Sequence, residues 1–394
     1  MFKRATREAL GPPDWILFIA TLAIVALGLM MVYSSTSDLG YREYGDAAHF
    51  FRRQLLWLLV GFVAMIVAMR LPYRHWTKLS IPIMGVTLIL LVSLAVMGQR
   101  LLLDRSVSPV ELAKLAVVIY IGHWLSSKSE VLAKLPYGLL PFTIMVGVIV
   151  GLVMIQKPPD VSEAMVIVIV AVVMFFMAGA DILQFAIGIV GGGAAFAFVV
   201  SKLPHVLERL QMFSGSAQEP LRSGNGQYVQ GLLALGSGGF LGLGAGGGRA
   251  KYQWLPAAHT DSIFAVVGEE LGLLGCLVLL GLFALLAYRG LRIAAMAPDA
   301  FGRNMAIGVT SWITFQALVN MAVVTGAIPY TGITLPFISV GGSSLSACMV
   351  GIGIVLSISR TVNAEGATSH EARRVGGRDG GTRVSRTDRR SSPA

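Results

Sequence analysis

The stretch WILFIATLAIVALGLMMVY, residues 15–33, contains no charged side chain and is long enough to cross a lipid bilayer as a single helix. Further apolar runs of similar length follow it through most of the chain. We predict ten membrane-spanning helices, at residues 15–34, 54–71, 79–97, 109–126, 137–155, 161–179, 181–201, 262–288, 304–327 and 335–358. The predicted fold is therefore an all-α polytopic membrane protein.

The composition agrees with this fold class. Of the 394 residues, 55% are hydrophobic and 13% are charged, whereas soluble domains carry about 25% charged residues. This excludes a cytosolic globular enzyme, a disordered protein and a fibrous protein. The only cysteines, Cys276 and Cys348, both lie inside apolar runs, which excludes a disulfide framework and a cysteine-based metal site. The first apolar run is long enough to remain as a helix, so no cleavable signal peptide is predicted.

The chain is predicted to have three parts. Residues 1–14 form a basic N-terminus, residues 15–360 form the ten-helix membrane domain, and residues 361–394 form a tail. The tail contains seven Arg, four acidic residues and few apolar ones, so we predict that it is disordered. One long loop, 202–261, joins the seventh and eighth helices and carries enough apolar side chains to pack on the bundle or lie in the membrane interface.

The orientation in the membrane follows from helix number and basic residues. An even number of helices places both termini on one side, and Lys3, Arg4, Arg7 and the Arg-rich tail make that side cytoplasmic by the positive-inside rule. The long loop is then extracytoplasmic. Up to residue 304, the predicted inner segments, with Lys3, Arg4 and Arg7 included, and the predicted outer segments contain eleven Lys and Arg residues each, so the outer face is unusually basic. An anionic ligand at that face would explain the excess.

Three helices on the predicted outer face begin with capping residues. The fourth span opens on residues 108–111, SPVE, a capping box with Pro at its first position; the sixth opens on residues 160–163, DVSE, and the eighth follows Asp261. Adjacent helix N-termini would form a site for a phosphate or pyrophosphate. The alternative is that these residues only cap their helices.

Several charged residues lie at the edges of apolar runs or inside them. Glu111 and Lys114 are three residues apart and therefore share a helix face, where they form either a ligand site or a stabilising pair. Glu269 and Glu270 lie within the eighth span, and intramembrane carboxylates are candidates for function. Because adjacent residues point in different directions, we expect only one of these two to face the interior.

The long loop ends in a second group of candidates. Asp261, in the sequence His259-Thr260-Asp261, is either a general base or an N-cap. Residues 236–248 are rich in glycine and would allow the backbone to approach a ligand closely, with Arg249 and Lys251 next to it. Because Gly-Lys-Ser/Thr does not follow, this is not a Walker A loop.

These motifs resemble the SEDS family (shape, elongation, division and sporulation), which comprises the FtsW, RodA and SpoVE proteins. Residues 255–272, LPAAHTDSIFAVVGEELG, are similar to the family signature LPEAHTDFIFAVIGEELG. Residues 320–344, NMAVVTGAIPYTGITLPFISVGGSS, are similar to its C-terminal signature. Smaller matches lie at residues 31–35, 235–239 and 358–360, so the resemblance covers about residues 14–360. Tyr33, Ala258, Thr334 and the long tail are typical of the division branch.

The resemblance implies a peptidoglycan glycosyltransferase that polymerises lipid II into β-1,4 glycan strands at the outer face of a bacterial plasma membrane. Asp261 would be the catalytic base. The residues expected to bind substrate are Lys114, Glu111, Arg209, Arg249, Lys251, His259, Asp160 and Glu270. A divalent cation, Mg or Mn, could bridge pyrophosphate and carboxylate, but the sequence contains no recognisable ligand set. The expected partners are a class B penicillin-binding protein and other division proteins, and no nucleic acid.

The sequence also departs from the family pattern. The residues that differ from the expected ones are Ser108, Val110, Ser162, Glu163, Ala257 and Ser262. A divergent paralogue with another substrate or reduced activity would show such changes. Two further functions therefore remain open, a lipid II flippase and a non-catalytic scaffold that activates a partner. Replacing Asp261 by Asn would separate them from the enzyme, because only the enzyme needs the base.

Overall fold

The computed structural model describes residues 11–97, 108–129, 132, 134, 135, 137–156, 159–203, 206, 207, 226–252 and 254–376. Within them the chain is helical and contains no β-strand, which confirms the all-α prediction. The helices are α1 Trp15–Tyr44, α2 His49–Arg70, α3 His75–Met97, α4 Pro109–Ser127, α5 Leu139–Met154, α6 Val161–Met177, α7 Ile182–Val200, α8 Gly226–Ser237, α9 Ile263–Met296, α10 Ala300–Val324 and α11 Gly342–Gly376.

Each predicted span coincides with one of these helices. Eight of the described helices are long and apolar enough to cross a membrane, whereas α5 and α6 are apolar but shorter. The exact number of ten spans therefore remains a prediction. α8 was not predicted as a helix and lies within the long loop between α7 and α9.

Two predicted boundaries in the last span were wrong. Helix α11 begins at Gly342 rather than residue 335, because Phe337 adopts a positive φ of 67° that a helix does not allow. Helix α11 also continues to Gly376, so residues 361–376 of the tail are helical rather than disordered. The rest of the tail lies outside the described residues.

The two ends of the membrane domain meet at one end of the bundle. The side-chain amide of Asn363 in α11 donates to the carbonyl oxygen of Pro12 at 2.8 Å. The carboxylate of Asp14 caps α1 by accepting from the backbone N–H of Leu17 and pairs with Arg289 near the end of α9. Both ends of the described chain therefore lie on the same side of the bundle, as the predicted topology requires.

Helix α10 forms the centre of the bundle and packs against α4, α6, α9 and α11. Its Trp312 side chain is fully buried. Gly308 allows close approach, since a Cβ there would lie 2.6 Å from both Met174 in α6 and Val118 in α4. Small residues at such crossings are typical of helix packing inside membranes.

Helix α9 is interrupted at Gly272, where φ is 67° and ψ is −168°. The glycine-rich segment enters this break. The backbone N–H groups of Leu273 and Leu274 donate to the carbonyl oxygens of residues 239 and 240, while Leu243 and Gly244 donate to those of residues 269 and 270. The segment thereby satisfies backbone groups that would otherwise be unpaired inside the membrane. The close backbone approach predicted for this segment is thus made to α9.

Candidate active site around Asp261

Asp261 lies in a tight turn immediately before α9. The backbone N–H groups of Thr260 and Ser262 both donate to the carbonyl oxygen of Ala257, at 3.0 and 3.3 Å. Ser262, and not Asp261, is the N-cap residue of α9, so the predicted capping role of Asp261 was wrong. The turn leaves the Asp261 carboxylate half-buried at this end of the bundle.

The environment of Asp261 suits a proton acceptor. Its Oδ2 atom accepts a hydrogen bond from the Tyr330 hydroxyl at 3.2 Å, and its main-chain oxygen accepts one from Asn320 Nδ2 at 2.8 Å. Burial raises the pKa of Asp261 above its ordinary value, although hydrogen bonds from Thr260 and Tyr330 oppose the rise. A carboxylate with a raised pKa takes up a proton more readily near neutral pH.

His259 is positioned by its backbone and by one aromatic neighbour. Its carbonyl oxygen accepts from the backbone N–H of Val340 at 3.0 Å, and its ring centroid lies 6.2 Å from that of Phe50. Burial lowers the pKa of His259, while the charges of Asp261 and Glu43 raise it. The net decrease favours a neutral imidazole beside Asp261 at pH 7.

Lys114 lies at the centre of a buried ionic cluster formed by α4, α6 and α10. Its Nζ atom lies 2.7 Å from Glu111 Oε2, 2.7 Å from Glu163 Oε2 and 2.8 Å from Gln316 Oε1. Of the two alternatives for Glu111 and Lys114, the structure shows the pair. The ammonium group is thus paired with two carboxylates and donates to one amide inside the bundle, and the residue is 2% exposed. In this conformation Lys114 is not accessible to a pyrophosphate.

The starts of α4 and α6 differ in how they are capped. Asp160 caps α6, since its Oδ1 accepts from the backbone N–H of Glu163 at 3.2 Å, as predicted. Ser108 is the N-cap residue of α4, but its side chain makes no capping bond. The predicted capping box fails because the Glu111 carboxylate binds Lys114 instead.

Asp160 connects the buried cluster electrostatically with Asp261. Burial raises the pKa of Asp160, while the backbone N–H of Glu163 and the charge of Lys114 lower it. The carboxylates of Glu111 and Asp261 add to the rise. The structure therefore places these predicted site residues close enough to influence each other's charge, at the end of the bundle where α4, α6 and α9 begin.

The irregular segment 328–341 ties the buried cluster to the Asp261 turn. The side-chain amide of Gln316 donates to Thr334 at 3.1 Å, and that of Asn320 donates to Ile333 at 2.6 Å. The Ser339 hydroxyl donates to the carbonyl oxygen of Thr260 at 2.7 Å. Because this segment is held on both sides, it fixes the relative positions of the cluster and the turn.

A second ionic cluster closes the break in α9. Lys251 Nζ lies 2.9 Å from Glu270 Oε1, 2.9 Å from Ser34 Oγ and 2.8 Å from the carbonyl oxygen of Gly246. Glu269 accepts from the backbone N–H groups of residues 249 and 250. Both glutamates are buried, so the expectation that only one would face the interior was wrong. The second carboxylate stays inside because the incoming loop supplies its donors.

The remaining predicted binding residues occupy different positions. The Arg249 side chain is exposed beside the glycine-rich segment. Lys251 binds Glu270, which lies seven residues beyond the first residue of α9 and therefore about 10 Å along the helix from the Asp261 turn, at a rise of 1.5 Å per residue. Arg209 lies outside the described residues. Within the described part of the chain, no group of three or more His, Cys, Asp or Glu residues is placed to hold a metal ion.

Sequence reasoning missed four polar residues that build the site: Gln316, Asn320, Tyr330 and Glu163. Of these, Glu163 is the second partner of Lys114. Gln316 and Asn320 lie inside the apolar run of α10 and are almost fully buried. A polar side chain inside a spanning helix usually faces the bundle interior, and this signal was present in the sequence. The position of Tyr330 depends on the irregular segment and had no such signal.

The family model described as "Cell cycle protein", named for FtsW, RodA and SpoVE, matches residues 14–364. The chain belongs to this family. A relative from Trichlorobacter lovleyi, named "Probable peptidoglycan glycosyltransferase FtsW", is 36% identical over 373 residues, which cover 91% of this chain and 96% of the relative. Stage V sporulation protein E of Bacillus subtilis is 37% identical over 360 residues, covering 88% and 97%.

Solved structures of similar proteins share the fold. One, described as "Structural coordination of polymerization and crosslinking by a peptidoglycan synthase complex", superposes with a TM-score of 0.71 at 29% identity and covers 88% of this chain and 98% of the other. Rod shape determining protein RodA of Thermus thermophilus gives a TM-score of 0.63 at 27% identity, with coverage of 88% and 97%. The polytopic helical architecture is therefore that of the family.

Proposed function

We propose that this protein is a peptidoglycan glycosyltransferase that polymerises lipid II into β-1,4 glycan strands at the outer face of a bacterial plasma membrane. Family membership and the names of the relatives support the reaction class. The observation that carries the proposal is the Asp261 carboxylate, which is half-buried at the end of the bundle and has a raised pKa. Such a group can remove a proton from a sugar hydroxyl.

In the proposed reaction, the 4-hydroxyl of an acceptor GlcNAc attacks C1 of the donor sugar, which is bonded to a lipid pyrophosphate. A bond forms between the acceptor oxygen and C1, and the bond between C1 and the phosphate oxygen breaks. The hydroxyl proton passes to Asp261, and the pyrophosphate leaves with the bonding electrons. Because attack comes from the face opposite the leaving group, the α-linked donor becomes a β-1,4 product.

The leaving pyrophosphate requires positive charge. The described groups that we assign to it are the exposed Arg249 guanidinium and the N-termini of α4, α6 and α9, whose helix dipoles favour anions. Lys114 is buried between two carboxylates, and Lys251 donates all three of its N–H groups within the protein. We therefore assign them a positioning role and keep Arg209 and His259 as proposed substrate contacts. Binding of a divalent cation remains a proposal, because the described residues include no group of three or more His, Cys, Asp or Glu that could hold a metal ion.

An apolar cavity of about 230 Å³ between α1 and α9 suits part of the lipid tail. Leu27 and Met31 line one side, while Val267, Leu274 and Val278 line the other. Leu274 and Val278 are also about half exposed on the outer surface of the bundle, so the cavity opens where lipid would surround the protein. The apolar lining matches a hydrocarbon chain and excludes the charged part of the substrate.

We place both termini in the cytoplasm, which puts the Asp261 end of the bundle at the outer face. The proposed partner is a class B penicillin-binding protein, and the similar structure described as part of a peptidoglycan synthase complex supports this type of assembly. A role in cell division, with further division proteins as partners, fits the relatives named FtsW.

The proposal is tested by incubating the purified protein with labelled lipid II, alone and with its cognate transpeptidase. We expect glycan strands that depend on Asp261. A flippase would move lipid II across sealed vesicles and form no strands, and a scaffold would do neither. Strand formation that persists in Asp261→Asn would contradict the assignment of the base.

A further inference from the structure

Tyr330 lies beside the proposed base without belonging to any of the helices. It is part of segment 328–341, and its hydroxyl lies within hydrogen-bonding distance of three side chains from two other parts of the fold. These are Asp261 Oδ2 at 3.2 Å, Ser262 Oγ at 3.2 Å, and Gln227 Nε2 of helix α8. The hydroxyl therefore connects α8 and the turn before α9 at the position where the base is held.

The direction of the hydrogen bond to Asp261 follows from its neighbours. The amide nitrogen of Gln227 can only donate, so it supplies a proton to the Tyr330 oxygen. The Tyr330 hydroxyl proton is then directed towards the carboxylate, which can only accept when ionised. Gln227 Nε2 also lies 3.1 Å from the Pro256 carbonyl oxygen and 3.2 Å from Ser262 Oγ, so its two protons are shared among three acceptors that together fix the orientation of the amide.

We propose that Tyr330 is a positioning residue for the glycosyl transfer. Its hydroxyl holds Oδ2 of Asp261 and so fixes the orientation in which the carboxylate meets the acceptor sugar. This inference rests on the proposed function, because it takes Asp261 as the base. Gln227 is the group that orients the tyrosine.

The hydrogen bond also favours the ionised form of Asp261, which is the form that a base requires. Other groups influence Asp261 independently of Tyr330. They are the Thr260 hydroxyl, His259 and, at the start of α6, Asp160. Glu43 acts in turn on His259, and Glu111 and Lys114 act on Asp160. Substituting Tyr330 by Phe removes only the hydroxyl and leaves each of these groups in place. The change therefore removes the contacts of the hydroxyl with Asp261, Ser262 and Gln227, of which the hydrogen bond to Asp261 acts directly on the base.

The test is the pH dependence of kcat/KM for lipid II polymerisation by Tyr330→Phe. Loss of a hydrogen bond to the charged form raises the pKa of the base, so the acidic limb should move to higher pH by about one unit. At a pH on that limb, the variant should be about tenfold slower than the wild type. Gln227→Leu should move the limb in the same direction by less, because the tyrosine remains but is no longer oriented.

Tyr288→Phe is the matched control, because Tyr288 is exposed near the other end of α9. Its pH profile should match that of the wild type. An acidic limb at the wild-type pH in Tyr330→Phe would overturn the proposal, even if the overall rate falls, since a purely structural role would lower the rate at every pH. Failure of the proposed function would look different from failure of the Tyr330 proposal. In that case Asp261→Asn would still form glycan strands, or the wild type would form none.

Discussion

Glu163 Oε2 lies 2.7 Å from Lys114 Nζ and joins α6 to α4 inside the bundle. Glu111 holds the same ammonium group from one turn away on α4. Two carboxylates thus share one buried cation, which donates a hydrogen bond to Gln316 of α10. The arrangement ties together the three helices that support the Asp261 turn.

Lys114→Met should destabilise the protein by about 3–5 kcal/mol, because it leaves two buried carboxylates without a cation. Glu163→Gln should cost much less, since a one-to-one pair with Glu111 remains. Unfolding in detergent, monitored by the loss of the helical circular dichroism signal, would measure the difference in stability between the two variants. Equal stability of Lys114→Met and the wild type would show that the cluster does not hold the helices together.

For the Lys251–Glu270 pair, we expect a single substitution and a double substitution to differ in their effect on stability. Lys251→Met should destabilise the protein by about 3–5 kcal/mol, because Glu270 stays buried without its cation. The double change Lys251→Met and Glu270→Met removes both charges and should recover much of that loss. Limited proteolysis of the segment around residues 238–254 would report the opening of the loop. A double variant as unstable as the single one would contradict this explanation.

Gly272→Ala tests the break in α9. A Cβ at this position would lie 2.3 Å from the backbone nitrogen of Gly242, and its φ and ψ belong to a region that essentially only glycine adopts. We expect a loss of about 2 kcal/mol or more. Gly281→Ala is the matched control, because Gly281 lies in the same helix and a Cβ there would contact nothing within 4 Å. That change should be neutral or stabilising. Equal melting temperatures for Gly272→Ala and Gly281→Ala would contradict the interruption of α9 at Gly272.

Asp261→Asn should leave the stability at neutral pH unchanged or increase it. Burial raises the folded-state pKa of Asp261, so the folded protein binds more protons than the unfolded chain between the ordinary and the raised pKa. Stability contributed by this group is then present at low pH and falls as pH rises through that window. Asparagine carries no charge and still accepts from Tyr330. Melting curves across pH would check this, and a marked loss of stability at pH 7 would contradict it.

The sequence predicted the parts of the fold that depend on local patterns. Apolar runs located the spanning helices, and Asp160 was recognised as a cap because its carboxylate acts within one turn. The sequence did not predict that Lys251 reaches Glu270, or that Gln316 reaches Lys114, because these contacts depend on how distant helices pack. The position of Tyr330 was not predicted either. Segment 328–341 has an irregular backbone, with a positive φ at Phe337, and it is held by hydrogen bonds to residues that are distant in the sequence.

The central claim is that Asp261 is the base for glycan polymerisation. The most direct test compares lipid II turnover by the wild type, Asp261→Asn and Asp181→Asn under identical conditions. Asp181 is the control because it caps α7 at the exposed surface, and asparagine caps equally well. We predict that Asp261→Asn lowers turnover by at least about a hundredfold, whereas Asp181→Asn keeps the wild-type rate. Turnover by a folded Asp261→Asn close to that of the wild type would contradict the claim.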